Sequence, residues 1–171
     1  LKTFNQVITL NPDGTASLTE DQITGLNITP PLHDDVNFTL TVTAVVEEIA
    51  TGLVNNLTEA FDVTVHAVAD APTLTTADAA GVEDNPIPLT IDSSLVDLDG
   101  SEALTIQIAG VPVGATLNAG MNLGNGVWSV DPTDLSTLAI TPAPNSSADF
   151  TLEVRATSTD TDTETGNQTT E

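Results

Sequence analysis

The chain contains no cysteine, only two basic residues and very few aromatic side chains. Without cysteine it can have neither a disulfide framework nor thiolate chemistry. Lys2 and Arg155 stand against 25 acidic residues, and the resulting net charge of -23 has the wrong sign for nucleic-acid binding. No apolar run has the length of a membrane span, so we expect no membrane insertion by this segment.

Apolar residues make up 39% of the chain, and their spacing follows the two-residue period of β-strands. In Phe38–Val46, alternate apolar residues share one face and the threonines share the other. Ala60–Ala69 alternates in the same way, which is typical of a half-buried strand in an antiparallel sheet. No segment keeps a helical period over three turns. The sequence therefore predicts an all-β chain.

Turn signals separate further predicted strands. Asn11–Gly14 predicts a tight turn, because Pro12 presets φ and Gly14 accepts positive φ, and Thr15–Leu18 then completes a hairpin. A loop is expected near Thr51–Asn56. Trp128 is predicted to fill a core, and the end of the chain to be a polar, acidic tail. The later strand candidates are Ile87–Ile91, Ala103–Ile108, Val127–Val130, Leu138–Thr141 and Phe150–Ala156.

An internal repeat predicts how the chain is organised. Gly14–Leu18 aligns with Gly126–Val130 at an offset of 112 residues, and two further segment pairs keep this offset without a gap. These pairs are Leu26–Pro30 with Leu138–Pro142 and Phe38–Ala44 with Phe150–Ala156. We therefore expect two β-modules, residues 1–71 and 72–171, joined within Ala67–Glu102. In this register the first module lacks its N-terminal strands and the second its last strand.

Five segments, in the same order as in a known family, carry a resemblance: DAPTL, VEDNPIPL, LVDLDGSEALTI, GVPVGATLNAG and the ITP…ADFTLEVRATSTD stretch. In these the chain resembles the tandem repeats of giant RTX-type bacterial surface adhesins, which are immunoglobulin-like or cadherin-like β-sandwiches. The resemblance implies a secreted, cell-surface protein used in attachment or biofilm formation. It also implies that such repeats act as calcium-stiffened extenders.

The joint carries a dense group of carboxylates, which suits calcium because this ion takes six to eight hard oxygen ligands. Asp97, Asp99 and Glu102 surround one turn, and strand alternation would point the two aspartates the same way. By analogy with the cadherin joint, Asp70 is the linker ligand, and Glu20 with Asp21 resembles the acidic pair of the preceding domain. Glu83 belongs either to this joint or to the far end of its module. The alternative is that these acidic loops are simply solvated.

Two other features are weaker candidates for a functional site. The tail from Asp160 to Gly166 resembles a calcium loop, but its glycine comes one place late for an EF-hand, and the repeat predicts a strand end and loop there. His66 is expected at the surface. No HExxH, G-x-S-x-G or phosphate-loop motif is present, so an enzyme is not expected.

These expectations combine into a calcium-stiffened, non-catalytic extender of an extracellular adhesin, whose partners are neighbouring repeats of the same protein. The alternative is a fibre subunit that joins identical subunits by β-strand exchange, since an open sheet edge can accept a donated strand. A sugar- or peptide-binding module would need an exposed aromatic or polar pocket, and the sequence indicates none.

Overall fold

The computed structural model describes residues 7–162 and 165–171. They fall into two compact units, one ending at Leu32 and one spanning His33–Glu171. Nearly all regular structure is antiparallel β, so the predicted all-β class is confirmed. The strands are β1 Phe38–Glu48, β2 Leu53–Val63, β3 Thr73–Ala77, β4 Ile87–Pro88, β5 Thr90–Ser94, β6 Glu102–Ala109, β7 Thr116–Leu117, β8 Met121–Gly124, β9 Val127–Val130, β10 Ala139–Thr141, β11 Glu153–Thr161 and β12 Gln168–Thr170.

The unit that ends at Leu32 contains one short helix, α1 (Glu20–Ile23), and no strand among its described residues. The predicted turn is present, with the Gly14 N–H donating to the Asn11 carbonyl at 2.9 Å. The predicted strand Thr15–Leu18 is wrong. An isolated two-stranded hairpin is marginal in water, and no third strand within this unit supports it. No helix among the described residues is long and apolar enough to cross a membrane.

The second unit begins with a long hairpin in which β1 pairs with β2 from Phe38 opposite Val63 to Glu48 opposite Leu53. The predicted strand over Phe38–Val46 is confirmed and extends two residues further. The predicted loop near residues 51–56 is shorter than expected, because β2 already begins at Leu53. The predicted strand at residues 60–69 ends early, at Val63, because its partner β1 begins at Phe38 opposite Val63.

The core of the second unit lies between a five-stranded sheet in the order β12-β11-β6-β9-β8 and smaller sheets formed by β4-β10-β7 and β3-β5. Ile106 and Ile108 of β6 have no solvent exposure. The facing sheets contribute the almost fully buried Ile140 and the buried Ile91. Trp128 packs in the same cluster, which confirms its predicted role as a core residue.

The internal repeat is visible in the backbone as well as in the sequence. Gly14 and Gly126 both have positive φ, at 80° and 75°. At the same offset of 112 residues, His33 and Asn145 adopt φ of 59° and 58°, which is uncommon for residues other than glycine. The helix α1 begins at Glu20, and its counterpart position, Pro132, begins a 3-10 helix, Pro132–Thr137. The two copies therefore share local conformations that alternation alone does not predict.

The polar, acidic tail predicted for the end of the chain contains strand structure. The strand expected over residues 150–156 instead runs from Glu153 to Thr161 as β11, between β6 and β12. The strand end and loop that the repeat predicts after residue 159 do occur, since β11 ends at Thr161. Ser158, Asp160 and Asp162 of this stretch are buried. The misplacement arises because threonine and aspartate carry no apolar signal, although they alternate with the period of a strand.

Candidate metal centre

The segment that follows β2 is fastened to the five-stranded sheet by hydrogen bonds from three of its strands. The Asp70 N–H donates to Glu102 Oε1 on β6 at 2.8 Å. The Ser158 hydroxyl on β11 donates to the Asp70 carbonyl at 2.8 Å, and Thr169 Oγ1 on β12 accepts from the Ala69 N–H at 2.7 Å. Asp70 is therefore held at one end of this sheet.

Asp70 belongs to a group of three potential metal ligands with His33 and Asp97, whose ligand atoms all lie within 4.8 Å of one another. His33 Nδ1 lies 2.8 Å from Asp70 Oδ2 and 3.8 Å from Asp97 Oδ2. Asp97 is almost completely buried, with 4% exposure, whereas Asp70 is partly open. The predicted pairing of the linker Asp70 with Asp97 is therefore present in the structure.

The turn after Asp97 explains why the two aspartates of this motif differ. Asp97 Oδ1 accepts from the Asp99 N–H at 2.9 Å, and Asp99 Oδ1 accepts from the Ser101 N–H at 2.7 Å. The segment therefore forms consecutive side-chain turns and no strand, so the alternation assumed for the two aspartates is absent. Asp97 is buried and Asp99 is exposed.

The same turn affects the ionisation of Asp99. The Ser101 hydroxyl and then the Ser101 backbone N–H donate to its carboxylate and hold its pKa below the ordinary value of 3.8. Slight burial opposes this shift of the pKa, and His33 adds a small electrostatic contribution in the lowering direction. Asp99 therefore stays anionic at neutral pH beside the three-residue group.

Glu102 is a buried residue of β6 that contacts Asp70 in the connecting segment. Its Oε1 accepts from Asp70 and, at 3.2 Å, from the Ser158 hydroxyl, while its Oε2 has no hydrogen-bond partner in the described part of the chain. A buried carboxylate oxygen without a donor is destabilising unless a cation or a donor reaches it. This orphaned oxygen is the observation that fits a bound cation.

The remaining predicted ligands are not members of the three-residue group. Glu83 is an exposed loop residue, and the next residue, Asp84, accepts through Oδ1 from the Asn145 N–H at 2.8 Å. Glu20 and Asp21 form the first turn of α1 in the other unit and are exposed. Their participation in a metal site stays a prediction.

Sequence reasoning missed His33 and Ser158, and it placed Asp160 in a separate tail loop. His33 lies outside any acidic motif, and its positive φ is visible only in the structure. A signal for the other two did exist, because Ser158 and Asp160 are two residues apart and therefore share one face of a strand. His66, in contrast, is exposed as predicted, with its Nδ1 3.8 Å from Asp162 Oδ2.

No protein-family model, curated protein or solved structure matches this chain.

Proposed function

We propose that this chain is a calcium-stiffened, non-catalytic extender segment of an extracellular bacterial adhesin, built from tandem immunoglobulin-like or cadherin-like β-sandwich modules. The observation that carries the proposal is the meeting of Asp70, Asp97 and Glu102 at the segment that joins the β1–β2 hairpin to the rest of the second unit. Carboxylates from the connecting segment and from the module that follows it suit an ion that fixes the angle between modules.

The overall charge supports the same mechanism. At a net charge of -23, acidic groups that approach one another at a joint repel unless cations neutralise them. Asp70, Asp97 and Glu102 would hold calcium through carboxylate oxygens. The ion would supply positive charge and a rigid cross-link, and Ser158 would keep the Asp70 backbone in place.

The donor set allows calcium to be distinguished from a transition metal. His33 offers a nitrogen, which zinc and similar ions accept readily and calcium does not. We propose that His33 orients Asp70 through its hydrogen bond and is not a ligand. His33→Ala should therefore leave calcium binding within a few-fold of wild type, whereas a zinc site would lose its nitrogen donor.

The test is calorimetric titration of the purified chain with calcium and, separately, with zinc, followed by thermal melting with and without chelator. Calcium should raise the Tm, because a ligand selective for the folded state stabilises it. Asp97→Asn should abolish most of this rise, while the control Asp134→Asn, a half-buried residue of the 3-10 helix, should preserve it. Calcium binding that is unchanged in Asp97→Asn, or no binding at millimolar calcium, would exclude this site.

Two observations favour a second candidate function, a fibre subunit assembled by strand exchange. In the described part of the chain β1 pairs only with β2, whereas its repeat counterpart β11 is flanked by two strands. The hairpin also leaves the apolar side chains Val42, Leu57 and Phe61 more than half exposed on one face. An open edge beside an apolar face can accept a further strand.

Light scattering across a concentration series distinguishes the two functions. Strand exchange predicts polymers that Val42→Arg disperses and that Thr43→Arg, on the opposite face of the same strand, does not. A monomer over the whole series that extends in solution when calcium is added supports the extender.

A further inference from the structure

A second pair of carboxylates lies between β6 and β11, beneath the joint. Glu102 and Asp160 stand directly opposite each other in the antiparallel pairing of these strands. Residues in this relation project from the same face of a sheet, with Cβ atoms about 5 Å apart. Both are buried, with exposures of 9% and 3%.

Each member of this pair has an oxygen that the described residues leave without a hydrogen bond, namely Glu102 Oε2 and Asp160 Oδ1. These are the only two buried side-chain atoms in this state within the described part of the chain, and they belong to facing residues. This coincidence indicates that a single bound group contacts both oxygens. Two ionised carboxylates offer only acceptors, so the partner must be a hydrogen-bond donor or a cation, and a cation also offsets their mutual repulsion.

No basic side chain among the described residues supplies that charge. Arg155 is the one lysine or arginine they include, and it is exposed and pairs across the sheet with Gln107. Its position five residues before Asp160 places it about 17 Å away along the strand. Like charges directly opposite in a sheet are destabilising, and buried carboxylates are normally paired or bound to metals.

We propose that Glu102 and Asp160 hold a second divalent cation, calcium, in addition to the ion at Asp70 and Asp97, with the Glu102 carboxylate shared by the two sites. Hard carboxylate oxygens with no nitrogen or sulfur donor select calcium over transition metals. The choice of ion rests on the proposed function, whereas the site itself rests on the two orphaned oxygens. Glu102 connects the two sites, because its other oxygen accepts from the Asp70 N–H.

This second ion makes the stiffening of the joint depend on the sheet. It cross-links the central strand β6 to β11. The Ser158 hydroxyl lies within hydrogen-bond distance of both Glu102 and the Asp70 carbonyl, so an ordered strand pair also restrains Asp70. Calcium release would then loosen the strand pair and the connecting segment together.

The test compares Asp160→Asn with wild type and with the control Asp131→Asn, whose side chain caps the 3-10 helix away from this pair. Wild type and control should bind two calcium ions by calorimetry, and Asp160→Asn should bind one. In chelator, Asp160→Asn should have a higher Tm than wild type, because it removes a buried charge and brings an N–H donor to Glu102. The sign of the Tm difference should reverse when calcium is saturating.

Two measurements separate failure of this site from failure of the first. Asp97→Asn should lose the other ion, so two ions retained in Asp160→Asn but not in Asp97→Asn would overturn only the second site. The converse result would overturn only the first. Paramagnetic manganese, added to the isotope-labelled full chain, should broaden the amide signals of Glu102 and Asp160, and unbroadened signals at both would contradict the inference.

Discussion

The two copies of the repeat contain equivalent residues in opposite environments. Leu138 and Ile140 are each only 1% exposed, whereas their counterparts Leu26 and Ile28 are 51% and 50% exposed. The sequences around them nearly match, and both copies keep a helix start and a positive-φ glycine at the same places. Local conformation is therefore encoded within the repeat, while burial is not.

The difference follows from the number of neighbouring strands. In the second copy, β10 lies between β4 and β7, and β11 lies between β6 and β12. The unit that ends at Leu32 has no strand among its described residues, and β1 has one partner. A strand pattern becomes a core only when a facing sheet covers it, since a lone hairpin buries too little apolar surface.

The largest expected difference between the two copies is in the free energy of unfolding of a matched pair of leucine-to-alanine variants. Leu138→Ala should lower the free energy of unfolding by about 2–5 kcal/mol, because it leaves a cavity in a packed core. Its repeat counterpart, Leu26→Ala, should change it by about 0.5 kcal/mol or less, as is usual for exposed sites. Urea denaturation measures both, followed by Trp128 fluorescence for Leu138→Ala and by the amide signals of the unit that ends at Leu32 for Leu26→Ala. Equal losses in the two variants would show that the first copy is as well packed as the second.

A smaller effect is expected where the second copy has replaced an apolar residue by a buried hydroxyl. Ser158 has no solvent exposure and donates to both Asp70 and Glu102, while its counterpart Val46 is exposed. Ser158→Ala should lower the free energy of unfolding by about 1–3 kcal/mol, because the Asp70 carbonyl loses its hydroxyl donor, whereas Glu102 Oε1 keeps the Asp70 N–H. Val46→Ala should have a much smaller effect.

Both variants should be compared in chelator by urea denaturation, so that metal binding does not mask the hydrogen bonds. A Ser158→Ala protein as stable as Val46→Ala would mean that the Asp70 carbonyl finds another donor, and that Asp70 is not anchored through β11.

The sequence predicted the strands whose apolar alternation is strong, such as β1 and β6, and it predicted that Asp70 and Asp97 belong together. It did not predict the burial of Asp160, because burial of a polar side chain depends on the strands beside it. Nor did alternation predict the turn at Asp97–Ser101, where side-chain oxygens bind the backbone of the residue two positions ahead. Such local hydrogen bonds compete with strand formation.

The start of β11 and the end of β2 also show that alternation alone does not predict where a strand begins or ends. Both stretches continue to alternate beyond the strand, but a residue is in a ladder only where a partner strand runs beside it. At its start, β11 pairs only with β6, and β6 ends at Ala109 opposite Glu153. Residues 150–152 therefore lie outside the sheet despite their pattern, and Phe150 is exposed.

The smallest expected effect concerns the helix starts, which the two copies stabilise by different chemistry. Asp131 Oδ1 accepts from the Thr133 hydroxyl and N–H, whereas at the equivalent start the Thr19 N–H donates to Gln22 Oε1 at 2.8 Å. The Thr133 hydroxyl and then its N–H hold the pKa of Asp131 below its ordinary value of 3.8. Only at Asp131 is the capping side chain itself an ionisable group.

A lowered pKa in the folded state means that ionised Asp131 favours folding. Its contribution is complete above pH 3.8 and is lost as the pH falls through the lower folded value. Asp131→Asn should consequently lower the Tm by about 2 °C or less at pH 7, and this difference should shrink as the pH falls through the lowered pKa of Asp131. In wild type, the Thr133 amide signal should titrate with a midpoint below 3.8 and that of Thr19 should not follow it. A Thr133 midpoint above the ordinary value would show that the Asp131 cap does not form in solution.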